Sequence, residues 1–226
     1  FNEILIKTFR SNIYKKIKFP IILICSKKLL VDEFKNLKIK VDFKDLNNHI
    51  SILKKKIYIL DIPLNYKNLS IQKTNSYIKK CFEIGLNILK EKNSLALING
   101  PISKKTFLKG RHKGITEFLA FKTRSLNEVM LIYNRKLSVS PLTTHLPINK
   151  ATQSIKKEQI VSKILKIHSF YVNKLKFRPK IAITGLNPHC ESFDNKSNKE
   201  KTEIIPAIRK LKKFKINIRG PLSADT

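Results

Sequence analysis

Short, continuous apolar runs alternate along this chain with longer segments whose apolar residues recur at helical spacing. Ile21–Cys25 is an unbroken apolar run, which is typical of a strand buried on both faces of a sheet. After Ser70, apolar residues recur on one helical face, which predicts a long helix with Ser70 as its N-cap. This alternation predicts an α/β fold in which helices flank a mostly parallel sheet.

The same signals predict further elements and a division into two lobes. Helices are predicted over residues 27–36, 156–177 and 201–214. Strands are predicted over residues 38–43, 57–62, 95–98, 129–133, 137–139, 180–184 and 216–219. Pro and Thr interrupt the pattern near residues 141–155, so we predict lobes at 1–140 and 141–226.

The chain has a large positive charge, which has two possible explanations. Lys and Arg number 47 against 16 Asp and Glu, a formal net charge of +31. A basic nucleic-acid-binding α/β protein is one interpretation, but Arg, which suits bidentate phosphate and base contacts, supplies only seven of the 47 cations. The Lys residues are spread over nearly every segment, as AT-rich codon usage would produce. We therefore expect no nucleic-acid partner, and a field that favours anionic, phosphate-bearing substrates.

The absence of targeting signals and the spacing of the cysteines indicate the cellular compartment of the protein. No apolar run reaches the ~18 residues of a membrane-spanning helix. The first residues also lack the pattern of a signal peptide. Cys25, Cys81 and Cys190 have no CxxC spacing, which predicts free thiols and argues against a cysteine-based zinc site. We expect a cytoplasmic protein without a membrane partner.

Two histidines follow predicted strands. His145 lies in the sequence TTHLP and His189 ends the sequence GLNPH. Ligand groups converge at the carboxyl ends of strands in an open α/β sheet, and imidazole is a common ligand of divalent transition metals. Both residues are candidate metal ligands, although histidines also occupy such positions without a metal. The chain contains no GxGxxG, P-loop or GxSxG pattern, which removes three common α/β enzyme classes.

Six short blocks of the sequence are specific enough to compare with known families. They are Asn99–Lys105 (NGPISKK), Gly114–Ala120 (GITEFLA), Thr143–Pro147 (TTHLP), Gly185–His189 (GLNPH), Ile205–Ile208 (IPAI) and Gly220–Thr226 (GPLSADT). In order and approximate spacing they resemble the 4-hydroxythreonine-4-phosphate dehydrogenase family of vitamin B6 biosynthesis. The resemblance is weakest before Leu95. It implies a two-domain, isopropylmalate-dehydrogenase-like architecture, of which this chain would be a fragment truncated at both ends.

The resemblance also implies an activity and a site. The family oxidises and decarboxylates 4-phosphohydroxythreonine with NAD, on the way to pyridoxal 5'-phosphate. It implies that His145 and His189 bind a divalent metal (zinc, magnesium or cobalt), with a third histidine from the partner subunit of a homodimer that shares its active site. Thr116 is implied as a substrate-binding residue. The third ligand and much of the NAD site would lie beyond Thr226, which leaves the catalytic and cofactor-binding residues unknown.

Two departures from the family pattern leave alternatives open. Ile115 stands where the family has a substrate-binding histidine, and an isoleucine can neither donate a hydrogen bond nor carry charge. Residues 190–197 replace a glycine-rich stretch with a segment that has no glycine. The chain could therefore be a divergent form of the same enzyme, a paralogous dehydrogenase for a related phosphorylated hydroxy acid, or an inactive relative.

Overall fold

A computed structural model of the chain describes residues 2–46, 56–91, 96–125, 128–186, 190 and 198–224. Contacts divide the chain into two units, Phe1–His112 and Lys113–Thr226. The predicted boundary between residues 140 and 141 falls inside the second unit. The two predicted lobes remain a prediction, because a unit of close contacts need not coincide with a lobe of the fold.

The first unit packs helices around a small parallel sheet. Its elements are α1 (Asn2–Arg10), α2 (Asn12–Lys16), β1 (Ile21–Cys25), α3 (Lys27–Asn36), β2 (Lys44–Asp45), β3 (Ile57–Asp61), α4 (Ile71–Lys90) and a π-helical turn at Lys104–Leu108. The strand order is β1-β3-β2, and both pairs are parallel. Side chains from α1, α3 and the strands form the core around Ile6, Leu30 and Ile59.

The second unit builds its core where two helices pack near a parallel strand pair. Its elements are α5 (Ile115–Thr123), α6 (Ile148–Ser154), α7 (Lys157–Phe170), β4 (Ile181–Thr184), α8 (Ile205–Lys213) and β5 (Ile218–Leu222), with π-helical turns at Tyr171–Leu175 and Glu200–Ile204. β4 and β5 are parallel neighbours. Leu211 and Ala207, both fully buried, lie in a core that also takes in Ile164 and Ile218.

Much of the predicted pattern is confirmed. The apolar run Ile21–Cys25 is β1, and the helix predicted over residues 27–36 is α3. Ser70 caps α4, since its side chain accepts a hydrogen bond from the backbone N–H of Lys73. The helix predicted over residues 156–177 is α7 continued by a π-helical turn. Parallel strands joined by helices confirm the α/β class.

Four predicted strands differ from the structure. Residues 38–43 contain no strand, because Lys38 takes a left-handed conformation (φ 51°) and the chain joins the sheet only at β2. Residues 96–98 are not a strand either, and Ile98 is 86% exposed. Segments 129–133 and 137–139 meet only at the isolated antiparallel bridge between Ile132 and Val139. An apolar run becomes a strand only where partners complete its hydrogen bonds along the whole run. Between segments 129–133 and 137–139 the described backbone hydrogen bonds are the two of the Ile132–Val139 bridge.

Among the described residues, no helix is both long enough and apolar enough to cross a bilayer.

The approach of β5 to β4 predicts a specific glycine requirement. Gly220 has φ 138°, and a Cβ at this position would collide with the carbonyl oxygen of Ile183 on β4. We expect Gly220→Ala to lower the free energy of unfolding by at least about 2 kcal/mol, since backbone strain and collision act together. Gly110→Ala is the matched control, because Gly110 has φ 71° with nothing described within 4 Å, and it should cost about 1 kcal/mol. Urea unfolding followed by circular dichroism measures both, and equal losses would contradict the prediction.

Candidate functional site

Two polar side chains lie close to the glycine at the start of α5. Gly114 is the N-cap of this helix, and Glu117 is the third residue inside it. A Cβ on Gly114 would lie 2.8 Å from Glu117 Oε2 and 3.7 Å from His145 Nε2. The carboxylate and the imidazole therefore border the same small space, which the missing glycine side chain leaves open.

The Glu117 carboxylate connects α5 to the TTHLP block. Its Oε1 atom accepts a hydrogen bond from Thr144 Oγ1 at 3.5 Å, the long end of hydrogen-bonding distance. Its Oε2 atom is buried and has no hydrogen-bond partner in the described part of the chain. A buried carboxylate oxygen without a partner is costly, so a polar group that approached Oε2 would stabilise it.

His145 is presented by a strained backbone. Its φ of 56° lies in the left-handed region, which non-glycine residues seldom adopt and which occurs often at functional sites. The residue is exposed, so its imidazole is accessible to a ligand. The TTHLP block is also held at its start, because Lys163 Nζ on α7 donates a 2.7 Å hydrogen bond to the carbonyl oxygen of Leu142. Burial lowers the pKa of the Lys163 amine.

The two neighbouring positions of the GITE sequence differ in environment. Thr116 is exposed, and its hydroxyl group is therefore available to a bound molecule. Ile115 is half-buried at the first position of α5. No polar group replaces the absent histidine at this position itself.

A second site segment begins at the carboxyl end of β4. Leu186 donates its backbone N–H to Glu200 Oε1 at 2.9 Å, and Glu200 is only 6% exposed. Gly185 lies so close to Cys190 that a Cβ would collide with its Sγ atom. These contacts fix Leu186 and Gly185. His189 itself lies outside the described residues.

The structure thus brings together part of the predicted site. His145, and the α5 turn that carries Thr116, lie in one unit; His189 as a metal ligand stays a prediction. Within the described ranges, no three His, Cys, Asp or Glu side chains form a metal-binding group. Glu117 and Glu200 were not assigned roles from the sequence. Acidic residues are scarce in this chain, and Glu117 lies inside the GITE sequence. Both features could have marked Glu117 as a candidate site residue.

Polar groups at the carboxyl edge of the first unit's sheet bind one another. Asp61 Oδ1 accepts the backbone N–H of Lys27 at 2.8 Å, and Lys27 Nζ pairs with Asp45 at 2.6 Å. The Ser26 N–H donates to the Tyr77 hydroxyl oxygen at 2.7 Å. Burial raises the pKa of the Cys25 thiol to about 12, so this thiol remains protonated and unreactive at neutral pH. These contacts give this edge a structural role.

A cavity in the second unit lies apart from the predicted site residues that the structure describes. It has a volume of about 580 Å³, and its lining consists of Ser125, Glu128, Val129, Leu131, Lys166, Ile167 and Phe170. Neither Thr116, Glu117 nor His145 lines it. We therefore place the candidate site at the α5 turn, where the polar side chains converge.

Comparison with known proteins decides the family. A family model described as "Pyridoxal phosphate biosynthetic protein PdxA" matches residues 17–226. The chain belongs to this family. It is 31% identical over 231 residues to a 4-hydroxythreonine-4-phosphate dehydrogenase of Sulfurihydrogenibium sp. (strain YO3AOP1), which covers 100% of the chain and 71% of that relative. The resemblance inferred from the six blocks is confirmed.

Two further PdxA-type comparisons concern the substrate and the fold. A relative from Oceanobacillus iheyensis, provisionally named a D-threonate 4-phosphate dehydrogenase, is 36% identical over 148 residues, or 63% of this chain and 44% of the relative. The crystal structure of a Klebsiella pneumoniae 4-hydroxythreonine-4-phosphate dehydrogenase superposes with a TM-score of 0.81 at 21% identity. It covers 100% of this chain and 72% of that one, and it supports the fold.

The contact between Glu200 and Leu186 predicts a local loss of stability. Glu200→Ala removes a charged acceptor and leaves the Leu186 N–H without its partner, so we expect about 2 kcal/mol less free energy of unfolding. Glu158→Ala, at an exposed position of α7, is the control and should cost less than about 1 kcal/mol. Urea unfolding of both variants measures the difference. A Glu200→Ala protein as stable as the control would show that the bond contributes nothing.

Proposed function

We propose that this chain carries out the NAD-dependent oxidation and decarboxylation of 4-phosphohydroxythreonine in pyridoxal 5'-phosphate biosynthesis. Membership of the PdxA family over residues 17–226 carries the proposal. Glu117 and His145 border the space beside Gly114, and Glu117 accepts a hydrogen bond from Thr144. Two of the family-like blocks therefore meet there, which supports the proposal.

A divalent metal fits the described side chains in part. The exposed imidazole of His145 gives a nitrogen donor for a divalent ion (zinc, magnesium or cobalt), and the buried, unpartnered Glu117 Oε2 borders the same space beside Gly114. His145 and His189 would hold the ion, and a third histidine would come from the partner subunit of a homodimer. When bound, the metal would act as a Lewis acid on the substrate alcohol.

The chain's own residues would bind and orient the substrate. The Thr116 hydroxyl, exposed on the first turn of α5, would hydrogen-bond to it. The net charge of +31 would attract the phosphate group. In the overall reaction the secondary alcohol loses a hydride from carbon to NAD and a proton from oxygen. The resulting β-keto acid then releases CO₂. We assign no described residue to NAD binding. The proposal also includes that the enzyme is a homodimer in the cytoplasm.

Ile115 favours a second candidate function within the same class. Without the histidine at this position, one polar contact to the substrate is missing, which suits a related phosphorylated hydroxy acid. The partial match to a relative named for a D-threonate 4-phosphate substrate gives this alternative a concrete form. The alternative that is not an enzyme is a nucleic-acid-binding protein. Its affinity for nucleic acid would fall steeply as the salt concentration rises.

The main assay is NADH formation from 4-phosphohydroxythreonine by the intact protein. We expect activity that a chelator abolishes and that added divalent metal restores. His145→Ala should reduce metal affinity at least tenfold, since it removes a ligand. His112→Ala, which changes a histidine outside the proposed metal site, is the control and should leave metal binding unchanged. Metal binding without any NADH would exclude this substrate, whereas unchanged metal affinity in His145→Ala would exclude the ligand role.

The Ile115→His variant separates the two candidate substrates. If the chain acts on 4-phosphohydroxythreonine, the new imidazole should add a polar contact and lower KM for this compound. If the chain is a paralogue, the variant should gain nothing with it, and D-threonate 4-phosphate should be the better substrate of the unmodified protein. Parallel kcat/KM measurements with both compounds decide between the outcomes.

A further inference from the structure

We propose that Glu117 is a positioning residue of the dehydrogenase site, and that its carboxylate fixes the Thr144–His145 turn and with it the direction of the His145 imidazole. The role rests on the proposed function, because it concerns the group that would bind the metal. Gly114 is part of the same arrangement, because the absence of a side chain there lets the Glu117 carboxylate and the His145 imidazole lie close to the same point.

The first step of the argument is where the carboxylate is held. Glu117 lies in the first turn of α5, at the position where a glutamate often bonds back to the N-cap of its own helix. Here the N-cap is glycine, and the carboxylate contacts Thr144 instead, 27 residues along the chain. Its hydrogen bond therefore links two blocks of the site, and it is not used to cap α5.

The second step is the strain in the segment that Glu117 contacts. His145 directly follows Thr144 and has a φ of 56°, a left-handed conformation that is unfavourable for a residue with a side chain. Such a conformation persists only when its surroundings hold it. Two side-chain hydrogen bonds among the described contacts restrain residues 142–145. Thr144 Oγ1 donates to Glu117 Oε1, and Lys163 Nζ donates to the Leu142 carbonyl oxygen. Only the first of them adjoins His145.

The third step is the free oxygen. Glu117 Oε2 lies 2.8 Å, and His145 Nε2 3.7 Å, from the same point beside Gly114. The oxygen is buried and accepts no hydrogen bond from the described residues. A carboxylate beside a metal-binding imidazole orients the ring and increases its affinity for the metal, and such supporting groups change metal affinity by about 10- to 100-fold. Glu117 is placed to act in this way.

The experiment measures Zn²⁺ affinity of the intact protein by competition with a chromophoric chelator. Glu117→Ala should bind Zn²⁺ at least about tenfold more weakly than the unmodified protein. Glu117→Gln keeps an acceptor for Thr144 and should recover part of the affinity. Glu158→Ala, on the exposed side of α7, is the control and should bind as tightly as the unmodified protein. The visible absorption spectrum of bound Co²⁺ should change in Glu117→Ala, because the spectrum follows ligand geometry.

Gly114→Ala provides an independent arm. Its Cβ would lie 2.8 Å from Oε2 and push the carboxylate away, so it should weaken Zn²⁺ binding as Glu117→Ala does. In the double variant the carboxylate is already gone, and the added methyl group should have little further effect. If the losses of Zn²⁺ affinity in the two single variants add up fully in the double variant, Gly114 acts independently of Glu117. That result would overturn the role proposed for Gly114.

The outcomes separate the positioning role from the proposed function. If the unmodified protein binds no Zn²⁺ and forms no NADH, the proposed function fails, and the role of Glu117 fails with it. If the unmodified protein binds Zn²⁺ and Glu117→Ala binds equally well with the same Co²⁺ spectrum, only the positioning role is overturned. A variant that is less stable but keeps its affinity and spectrum would show a merely structural carboxylate, which also overturns the role.

Discussion

Parallel pairing of short, buried strands is the constraint on which the rest of this structure depends. A parallel strand must be followed by a crossover before its neighbour. The helix α3 lies in the chain between β1 and its partner β3, and α8 lies between β4 and β5. The ladder also demands close backbone approach, which is why Gly220 faces Ile183. Because ladders end in loops at one edge, the Gly185–Leu186 segment begins where β4 ends, and Glu200 can bind it.

The candidate site is built from scarce acidic residues in a very basic chain. Glu117 and Glu200 each bind a group that is distant in sequence, and each is positioned by the first part of a helical segment. A surface salt bridge of the Lys79–Glu83 kind is exposed and contributes little. Buried carboxylates are different, because low dielectric surroundings strengthen their bonds and penalise any oxygen without a partner.

The family assignment and the geometry give different kinds of knowledge about function. Family membership identifies the class of chemistry, but it does not explain how a divergent member manages with Ile115. The structure shows that Thr116 is accessible, that His145 is presented by a strained turn, and that a carboxylate stands beside it. Ile115 and His145, the two positions on which the proposed substrate and metal roles depend, both lie in the second unit.

The sequence by itself determined the α/β class, the start of α4 at Ser70 and the family. Ser26 and Ser70 begin α3 and α4 through local hydrogen bonds, and the unbroken run Ile21–Cys25 makes a strand in any suitable sheet. Such features depend on neighbours in the chain, so local patterns are enough to predict them. The blocks GITEFLA and TTHLP likewise predict Thr116 and His145 as site residues.

Only the tertiary structure decided which apolar runs become strands and which side chains meet. Residues 96–98 and 129–139 have strand-like sequences, but a strand forms only where a partner completes the ladder. The contact of Glu117 with Thr144 spans 27 residues and that of Glu200 with Leu186 spans 14. No local pattern encodes either, because each depends on how whole helices pack beside the loops that they support.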